Sequence, residues 1–266
     1  MSTTTTAGTA AIQGELWGAR ARDFADEQEP QSQPLYEHAL RSLEIGEGTA
    51  VLDVGCGSGF FCRLAADAGA RVTGIDAAGP LVKIAKQRVP DSDFRVGDIQ
   101  FLPFADDAFD IVTGFNSFQY AADPVAALAE AKRVAKPGAP VFVLVWGRQD
   151  RTELVAILSA LRPLLPPAPP DGPGPFALSE QGALEALVTQ AGLEPANDGY
   201  IEAPFEYRDE TSLLRANLAS GPATLAIRTS SEDAVRQALL EACASFRTAP
   251  GGYRIETEWR YVTAKA

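Results

Sequence analysis

Val51-Leu52-Asp53-Val54-Gly55-Cys56-Gly57-Ser58-Gly59 is a short apolar run that ends in three alternating glycines. The apolar run predicts a buried strand, and apolar residues at helical spacing follow from Phe60. Glycine adopts positive φ without steric cost and lets the backbone approach a ligand closely. Amide groups at the start of the next helix add hydrogen-bond donors. The stretch therefore predicts a ligand-binding turn at the carboxyl edge of a parallel sheet.

Two common phosphate-binding motifs do not fit this turn. The dinucleotide motif G-x-G-x-x-G needs a glycine where this chain has Phe60, because the third glycine comes one residue early. The motif G-x-x-x-x-G-K-[ST] meets the same phenylalanine, and no lysine follows it. In addition, Asp53 in the preceding strand would repel a pyrophosphate and suits a cationic or amino-bearing ligand. These departures count against an NAD-dependent oxidoreductase, which stays as a less favoured alternative.

Acidic residues, Asp76 and Asp98, stand at the ends of the next two predicted strands. Asp76 follows Gly55 by 21 residues, which is the length of one strand–helix–strand unit. A carboxylate there can accept two hydroxyl hydrogen bonds from a ribose, and such charge-assisted bonds are strong. Asp98 can accept an N–H from an exocyclic amine. Each acid alone could be a solvated turn residue, but two of them beside a glycine turn favour a nucleoside site.

The order and spacing of these motifs resemble the class I S-adenosylmethionine (SAM)-dependent methyltransferases of the small-molecule type, similar to ubiquinone and menaquinone methyltransferases. The resemblance runs from about Gly46 to Gly147. Beyond the glycine turn, it is carried by Arg71–Asp76, Phe94–Ile99, Leu102–Phe104, Phe109–Phe115, Arg133–Gly138 and Val141–Trp146. It implies an α/β, Rossmann-like sheet of seven strands with the last strand antiparallel, helices on both faces and a helical lid over the cofactor edge. It also implies SAM as cofactor and S-adenosylhomocysteine (SAH) as product.

The same resemblance assigns roles to individual residues. Asp76 would bind the ribose hydroxyls, Asp98 the adenine amino group, and the amide of Ile99 an adenine ring nitrogen. The full set predicted to contact the cofactor is Trp17, Asp53, Gly55, Cys56, Gly57, Asp76, Ala77, Asp98, Ile99, Phe115 and Asn116. Two members have an equally good structural explanation, since Asn116 also suits a turn and Trp17 also suits packing within a lid.

The chemistry of methyl transfer asks little of acid–base groups. It is a direct displacement at a sulfonium carbon, so an enzyme of this kind mainly aligns the acceptor and excludes water. No residue is predicted as a general base, and the catalytic set is unknown. The predicted function is methyl transfer to a small-molecule acceptor that is apolar or aromatic. The alternative with the same fold is a SAM-binding protein without methyl transfer.

Composition limits the partners and the compartment. The net charge of −12 repels phosphate backbones, so no nucleic-acid partner is predicted. One histidine and three cysteines without metal-ligand spacing predict no metal site, and the odd number of cysteines suits a reducing compartment. We find neither a secretory signal nor an apolar run long enough to span a membrane. We therefore predict a cytoplasmic protein that is a monomer or a homodimer.

The chain is predicted to form a disordered tail over residues 1–13 and a single methyltransferase domain over residues 14–266. The predicted parts of that domain are a helical lid (14–43), the cofactor-binding core (46–147), substrate and lid insertions (148–250) with a strand over 199–207, and the last strand (251–266). Strict alternation from Tyr253 to Tyr261 supports that last strand.

Local patterns add detail to the lid and the insertions. The lid is predicted to contain the helices Glu15–Phe24 and Pro34–Leu43, with His38 facing solvent on the second. The segment Pro163–Pro175 contains seven prolines and predicts a semi-rigid loop. A helix capped by serine and ended by glycine is predicted over Ser179–Ala191.

Overall fold

A seven-stranded sheet runs through the protein, which the computed structural model describes over residues 8–167 and 174–266. In chain order its strands are β1 (Ala50–Val54), β2 (Arg71–Asp76), β3 (Asp93–Val96), β4 (Ile111–Phe115), β5 (Pro140–Trp146), β6 (Glu194–Glu202) and β9 (Glu258–Lys265). Two further strands, β7 (Phe205–Tyr207) and β8 (Tyr253–Ile255), form a separate antiparallel pair. The order across the large sheet is β3-β2-β1-β4-β5-β9-β6.

Helices join these strands and precede them. They are α1 (Ala10–Gly18), α2 (Ala21–Asp23), α3 (Gln33–Ser42), α4 (Phe60–Asp67), α5 (Gly79–Arg88), α6 (Pro124–Val134), α7 (Leu154–Leu161), α8 (Ala183–Gln190), α9 (Glu210–Leu218), α10 (Gly221–Thr229) and α11 (Glu232–Cys243). Between α2 and α3 the chain makes a π-helical turn at Phe24–Gln28 and a 3₁₀ turn at Glu29–Ser32. Within the described ranges, none of these helices is long and apolar enough to cross a lipid bilayer.

One strand of the large sheet runs against the others. Strands β1 to β5 pair in parallel, whereas β9 pairs antiparallel with both β5 and β6. Parallel neighbours require crossover connections, and these place helices on both faces of the sheet. The predicted Rossmann-like sheet of seven strands with an antiparallel last strand is confirmed.

Both faces of the sheet are covered, which explains why its central strands read as continuous apolar runs. Along β5, Phe142 and Leu144 belong to one hydrophobic cluster, together with Phe61 of α4. The intervening Val141 and Val143 belong to the cluster on the other face. This follows from the period of two along a strand. The buried sheet holds the carboxyl ends of its parallel strands at a fixed edge, where the glycine turn begins.

The C-terminal strand is shorter than predicted. Rather than one strand over 251–266, the chain forms β8 and β9 separately, and β8 pairs with β7. Between them, the Thr257 hydroxyl donates a hydrogen bond to the carbonyl of Ala203, which holds the bend. The strand predicted over 199–207 is likewise divided between β6 and β7, and β6 already begins at Glu194. The first half of β6 is an exposed, polar edge strand, so hydrophobic alternation does not reveal it.

The N-terminal region contains more structure than predicted. The expected disorder of residues 1–13 is wrong from Ala10 onward, where α1 begins, and residues 1–7 lie outside the described residues. Helix α1 packs closely on the loop after β2, since a Cβ on Gly14 would lie 2.4 Å from the carbonyl oxygen of Ala77. Tertiary packing of this kind, rather than helix propensity, stabilises most helices of this length.

The two helices predicted before the first strand have different outcomes. The predicted helix Glu15–Phe24 is interrupted, because α1 ends at Gly18 and α2 starts after a break. The predicted helix Pro34–Leu43 is confirmed as α3. The prediction that His38 faces solvent is wrong: the side chain is half-buried, and its ring lies 4.9 Å from that of Tyr261 on β9. The face of α3 that we took as solvent-exposed also meets the sheet.

Ser179 does not cap a helix. Its hydroxyl donates to the carbonyl of Trp146 at 2.7 Å, and α8 begins later, at Ala183. The serine therefore fastens the insertion to the end of β5. The proline-rich loop predicted over 163–175 falls partly on residues 168–173, which lie outside the described residues.

Gly114 in β4 leaves room for the fully buried ring of Phe118. A Cβ on Gly114 would lie 2.3 Å from Phe118 Cε2, so we expect Gly114→Ala to lower the free energy of unfolding by about 1–3 kcal/mol through overpacking. The matched control is Gly46→Ala, because nothing lies within 4 Å of a Cβ at that position. Urea denaturation of both variants measures the effect, and equal stability of the two would contradict it.

Candidate active site

The glycine turn after β1 leaves no room for side chains. Gly55 and Gly57 have φ values of 79° and 55°, in the left-handed region that favours glycine. A Cβ on Gly55 would lie 2.3 Å from the Cβ of Ser117, at the end of β4. A Cβ on Gly57 would lie 2.8 Å from Oε1 of Glu29, which precedes α3. The turn is therefore enclosed between the end of β4 and the N-terminal segment, which comprises residues 8–43 with α1, α2 and α3.

Asp76 ties this turn to the neighbouring strand. Its Oδ2 accepts a hydrogen bond from the amide of Gly57 at 2.9 Å, and its Oδ1 accepts one from the amide of Ala78 at 2.8 Å. Burial raises the pKa of the Asp76 carboxyl, and the two amides oppose that rise. Each carboxylate oxygen has two lone pairs, so both oxygens can still accept a hydrogen bond from a ligand hydroxyl.

A cavity of about 510 Å³ opens at this edge of the sheet. That volume lies within the usual range for a small-molecule site. Its wall includes nine of the predicted cofactor contacts: Trp17, Gly55, Gly57, Asp76, Ala77, Asp98, Ile99, Phe115 and Asn116. The fold thus gathers residues from α1, from the glycine turn and from the ends of three strands at one place.

The structure does not bring the other two predicted contacts, Asp53 and Cys56, to the cavity wall. The Asp53 carboxylate is buried, and it accepts a hydrogen bond from the hydroxyl of Thr113 on the neighbouring strand β4 at 2.8 Å. Burial raises the pKa of Asp53 to about 7. The Cys56 side chain is also buried, and contact with the Cys62 thiol together with burial raises its pKa well above the usual range. Both side chains are therefore buried in the protein interior next to the turn, and neither lines the cavity.

Asn116 adopts an unusual backbone conformation where β4 ends. Its φ is 53°, and residues other than glycine that adopt positive φ occur often at functional sites. Its side-chain oxygen accepts a hydrogen bond from the side-chain amide nitrogen of Gln119. Burial raises the pKa of Tyr120 to about 12. At neutral pH this tyrosine is therefore a hydrogen-bond donor and not a base.

Aromatic rings from α1 and its surroundings close one side of the cavity. The ring of Trp17 lies edge-on to Tyr120 at 5.6 Å and to Phe24 at 5.8 Å, with ring centroids as reference points. The indole nitrogen donates to the side-chain oxygen of Gln13 at 3.1 Å. Trp17 therefore packs within the N-terminal segment and also lines the cavity, so both interpretations of this residue are compatible with the structure.

Sequence reasoning missed Glu29 on the cavity wall. This carboxylate is 3% exposed, and it accepts hydrogen bonds from the Ser58 amide at 2.9 Å and from the guanidinium of Arg88 at 2.6 Å. Burial raises the pKa of Glu29, and Arg88 is the main opposing influence. Glu29 stands in a polar, glutamine-rich stretch without hydrophobic periodicity, and no signal in the sequence marks it.

The two halves of the cavity differ in polarity. The charged side chains on the described part of its wall, Glu29, Asp76 and Asp98, are all acidic and lie towards the glycine turn. The far half is formed by apolar side chains of α7 and of the strands β5, β7 and β9: Leu154, Ile157, Leu158, Leu161, Trp146, Phe205 and Trp259. No lysine, arginine or histidine of the described ranges lines the cavity. The sequence of residues 168–173, which lie outside the described residues, contains no lysine, arginine or histidine.

Comparison with known proteins assigns the family. Residues 52–143 match a family model described as a methyltransferase domain. The chain is 34% identical over 186 residues to the ubiquinone biosynthesis O-methyltransferase of Bordetella bronchiseptica, across 63% of this chain and 75% of that protein. The chain belongs to the class I SAM-dependent methyltransferases. A demethylmenaquinone methyltransferase of Renibacterium salmoninarum is 44% identical to this methyltransferase over 96 residues, which is 36% of this chain and 40% of that protein.

Solved structures show the same fold. The cyclase SpnF superposes on this methyltransferase with a TM-score of 0.59 at 19% identity, covering 97% of this chain and 93% of that chain. Identity that low supports the fold alone. Since that protein is named as a cyclase, the fold by itself does not determine the reaction.

The raised pKa of Asp53 predicts a measurable pH dependence of stability. The folded methyltransferase keeps a proton on Asp53 up to about pH 7, whereas the unfolded chain releases it near pH 3.8. The free energy of unfolding therefore falls as the pH rises through this window. Asn cannot ionise, so we expect Asp53→Asn to gain roughly 1–3 kcal/mol relative to wild type between pH 5 and pH 8.

Chemical denaturation at several pH values tests this linkage. The exposed acid Asp91 supplies the control, and Asp91→Asn should follow the wild-type profile. Parallel pH profiles for Asp53→Asn and wild type would show that Asp53 is already ionised in the folded protein.

Proposed function

We propose that this methyltransferase transfers the methyl group of SAM to a neutral, largely apolar small molecule bound in the cavity. The observation that carries the proposal is the division of that cavity into an acidic half at the glycine turn and an apolar half, with no lysine, arginine or histidine among the described residues of its wall. The acidic half suits a cofactor with a sulfonium, an amino group and ribose hydroxyls. The apolar half suits an acceptor that brings no negative charge.

The residues present fit the cofactor. Gly55 and Gly57 both line the cavity, and a Cβ at either position would collide with Ser117 or Glu29, so the turn presents backbone rather than side chains to a bound ligand. We assign the ribose hydroxyls to Asp76 and the adenine to Asp98 and Ile99. The remaining assigned contacts are Trp17, Ala77, Phe115 and Asn116. When bound, SAM would supply a methyl group on a sulfonium, from which SAH departs as a neutral thioether and thus a good leaving group.

The apolar half of the cavity supports an aromatic or otherwise hydrophobic acceptor. The stacked pair Trp146 and Trp259, with ring centroids 4.3 Å apart, provides a flat wall. Burying an anionic group without a cationic partner is costly, so carboxylate or phosphate acceptors are disfavoured. The names of the two relatives place them in quinone biosynthesis, and a quinol ring would match these walls.

Alignment and exclusion of water account for the chemistry that this chain can supply. The aromatic wall and the N-terminal segment border the cavity, and exclusion of water by bound ligands would strengthen every electrostatic interaction inside. Asn116, Gln119 and Tyr120 offer donors and acceptors that can orient a polar group of the acceptor. The proposed role of these three residues is to orient the acceptor and not to remove a proton from it, because the Tyr120 hydroxyl keeps its own proton at neutral pH. Location in the cytoplasm and the oligomeric state stay predictions.

Transfer of labelled methyl groups from SAM to matched acceptors tests the proposal. A hydroxylated naphthoquinol and the same ring bearing a carboxylate differ in charge but little in shape. We expect kcat/KM to be at least about tenfold higher for the neutral compound, which corresponds to about 1.4 kcal/mol. A preference for the anion would contradict the assignment of the acceptor. SAH binding without transfer to any acceptor tried would favour the SAM-binding alternative.

Asp76→Ala tests the assigned ribose contact. We expect the affinity for SAH to fall by roughly 2–4 kcal/mol, because two hydrogen bonds to a charged group are lost and the Gly57 amide loses its partner. Isothermal titration calorimetry measures the change. Asp93→Ala removes an exposed acid at the opposite end of β3 and should bind SAH like wild type. Unchanged affinity in Asp76→Ala would refute the ribose contact.

Substitution of Tyr120 and His38 tests catalysis by alignment. Loss of a general base typically lowers kcat by roughly 10²–10⁴. We expect Tyr120→Phe and His38→Gln each to lower kcat by less than about tenfold, because Tyr120 stays protonated and His38 lies on α3 away from the cavity. Steady-state kinetics with the acceptor found above gives the result. A larger drop in kcat at unchanged SAH affinity would identify a base.

A further inference from the structure

Glu29 links the N-terminal segment to the glycine turn across a buried boundary. Its Oε1 accepts from the Ser58 amide at 2.9 Å, and its Oε2 accepts from the Ser58 hydroxyl and from Arg88 at 2.6 Å. The same Oε1 lies 2.8 Å from where a Cβ on Gly57 would be. The carboxylate thus touches the part of the turn that faces the cavity.

Arg88, at the end of α5, completes the cluster. Its Nη1 also donates to the Ser58 hydroxyl at 2.8 Å and to the Ser58 carbonyl at 3.1 Å. Its Nη2 donates to the carbonyl of Ala25 at 3.3 Å, and its guanidinium lies over the ring of Phe60 at 5.4 Å from the centroid. One guanidinium therefore contacts the N-terminal segment, the turn and the first residue of α4.

The hydrogen bonds that Glu29 makes with Ser58 and Arg88 are expected to form or break together. A buried carboxylate is stable only while it is paired and hydrogen-bonded. Movement of the segment at residues 24–32 away from the turn would separate Glu29 from Ser58 and would leave Arg88 with fewer partners. In the other direction, a shift of Ser58 would remove two of the bonds that hold Glu29. The position of the segment and the geometry of the turn are consequently coupled.

We propose that Glu29 is a positioning residue that couples closure of the N-terminal segment over the cavity to the ligand-binding geometry of the glycine turn. This inference rests on the proposed function, because it concerns how the same turn holds SAM. Coupling between two sites is reciprocal, so ligand at the turn must stabilise the closed segment as strongly as the closed segment stabilises bound ligand.

Glu27 provides a matched comparison within the same segment. It is also a buried glutamate, but its partners are Arg215 at 2.6 Å and Arg208 at 3.0 Å, which lie on α9 and before it and not on the cofactor turn. Arg215 keeps a second partner, Asp23, at 2.7 Å. Glu27→Gln therefore loosens the segment without touching the turn, whereas Glu29→Gln removes the charge that joins the two.

Hydrogen exchange over residues 24–43, with and without SAH, separates coupling from a merely structural role. In wild type and in Glu27→Gln we expect SAH to slow exchange of this segment. In Glu29→Gln we expect that slowing to disappear and the affinity for SAH to fall by about tenfold or more, as for the loss of a hydrogen bond to a charged group. The two variants are compared by their SAH-dependent exchange and by their SAH affinity, so the comparison does not depend on how much either substitution changes the melting temperature.

Failure of the coupling can be distinguished from failure of the proposed function. If wild type binds SAH and Glu29→Gln shows wild-type affinity and wild-type slowing, the coupling is refuted while the proposed function stands. If wild type does not bind SAH, the proposed function itself fails. Should Glu29→Gln not fold, Ser58→Ala decides, because it removes the hydroxyl that donates to Glu29 and accepts from Arg88 but keeps the Ser58 amide and the Glu29 charge. Weakened slowing in Ser58→Ala supports the coupling, and full slowing overturns it.

Discussion

The carboxylate of Asp76 is the constraint on which the rest of the site depends. It accepts hydrogen bonds from the amides of Gly57 and Ala78, and so joins the turn after β1 to the loop after β2. A carboxylate held by two amides has a fixed orientation, and this one lines the cavity with lone pairs still available to a ligand. The sheet brings two strand ends together, but this pair of bonds sets the shape of the surface between them.

The cavity joins two regions that the chain builds in different ways. In the acidic half, Asp76 and Asp98 come from the ends of parallel strands, whereas Glu29 comes from the N-terminal segment. The apolar half comes from α7 and β7 of the insertions, together with the adjacent ends of β5 and β9. A rigid sheet edge with variable elements around it is a common arrangement for a binding site. It allows a constant cofactor to be combined with different acceptors.

The sequence predicts what is encoded locally and misses what depends on distant contacts. Gly55 and Asp76 are recognisable because their spacing of 21 residues reflects one strand–helix–strand unit. Asp53 was misplaced because, in a strand buried on both faces, the pattern does not show which face meets the ligand. Glu29 was missed because its partners lie 29 and 59 residues further along the chain. The division of the last strand into β8 and β9 depends in the same way on pairing with β7, which alternation alone cannot reveal.

A crystal structure of the protein with bound SAH tests the central claim most directly. The account predicts both ribose hydroxyls within about 3.2 Å of the Asp76 carboxylate, the adenine beside Asp98 and Ile99, and the sulfur facing the apolar half of the cavity. A ligand bound elsewhere on the protein would contradict the account. So would SAH seated in the cavity with its ribose turned away from Asp76.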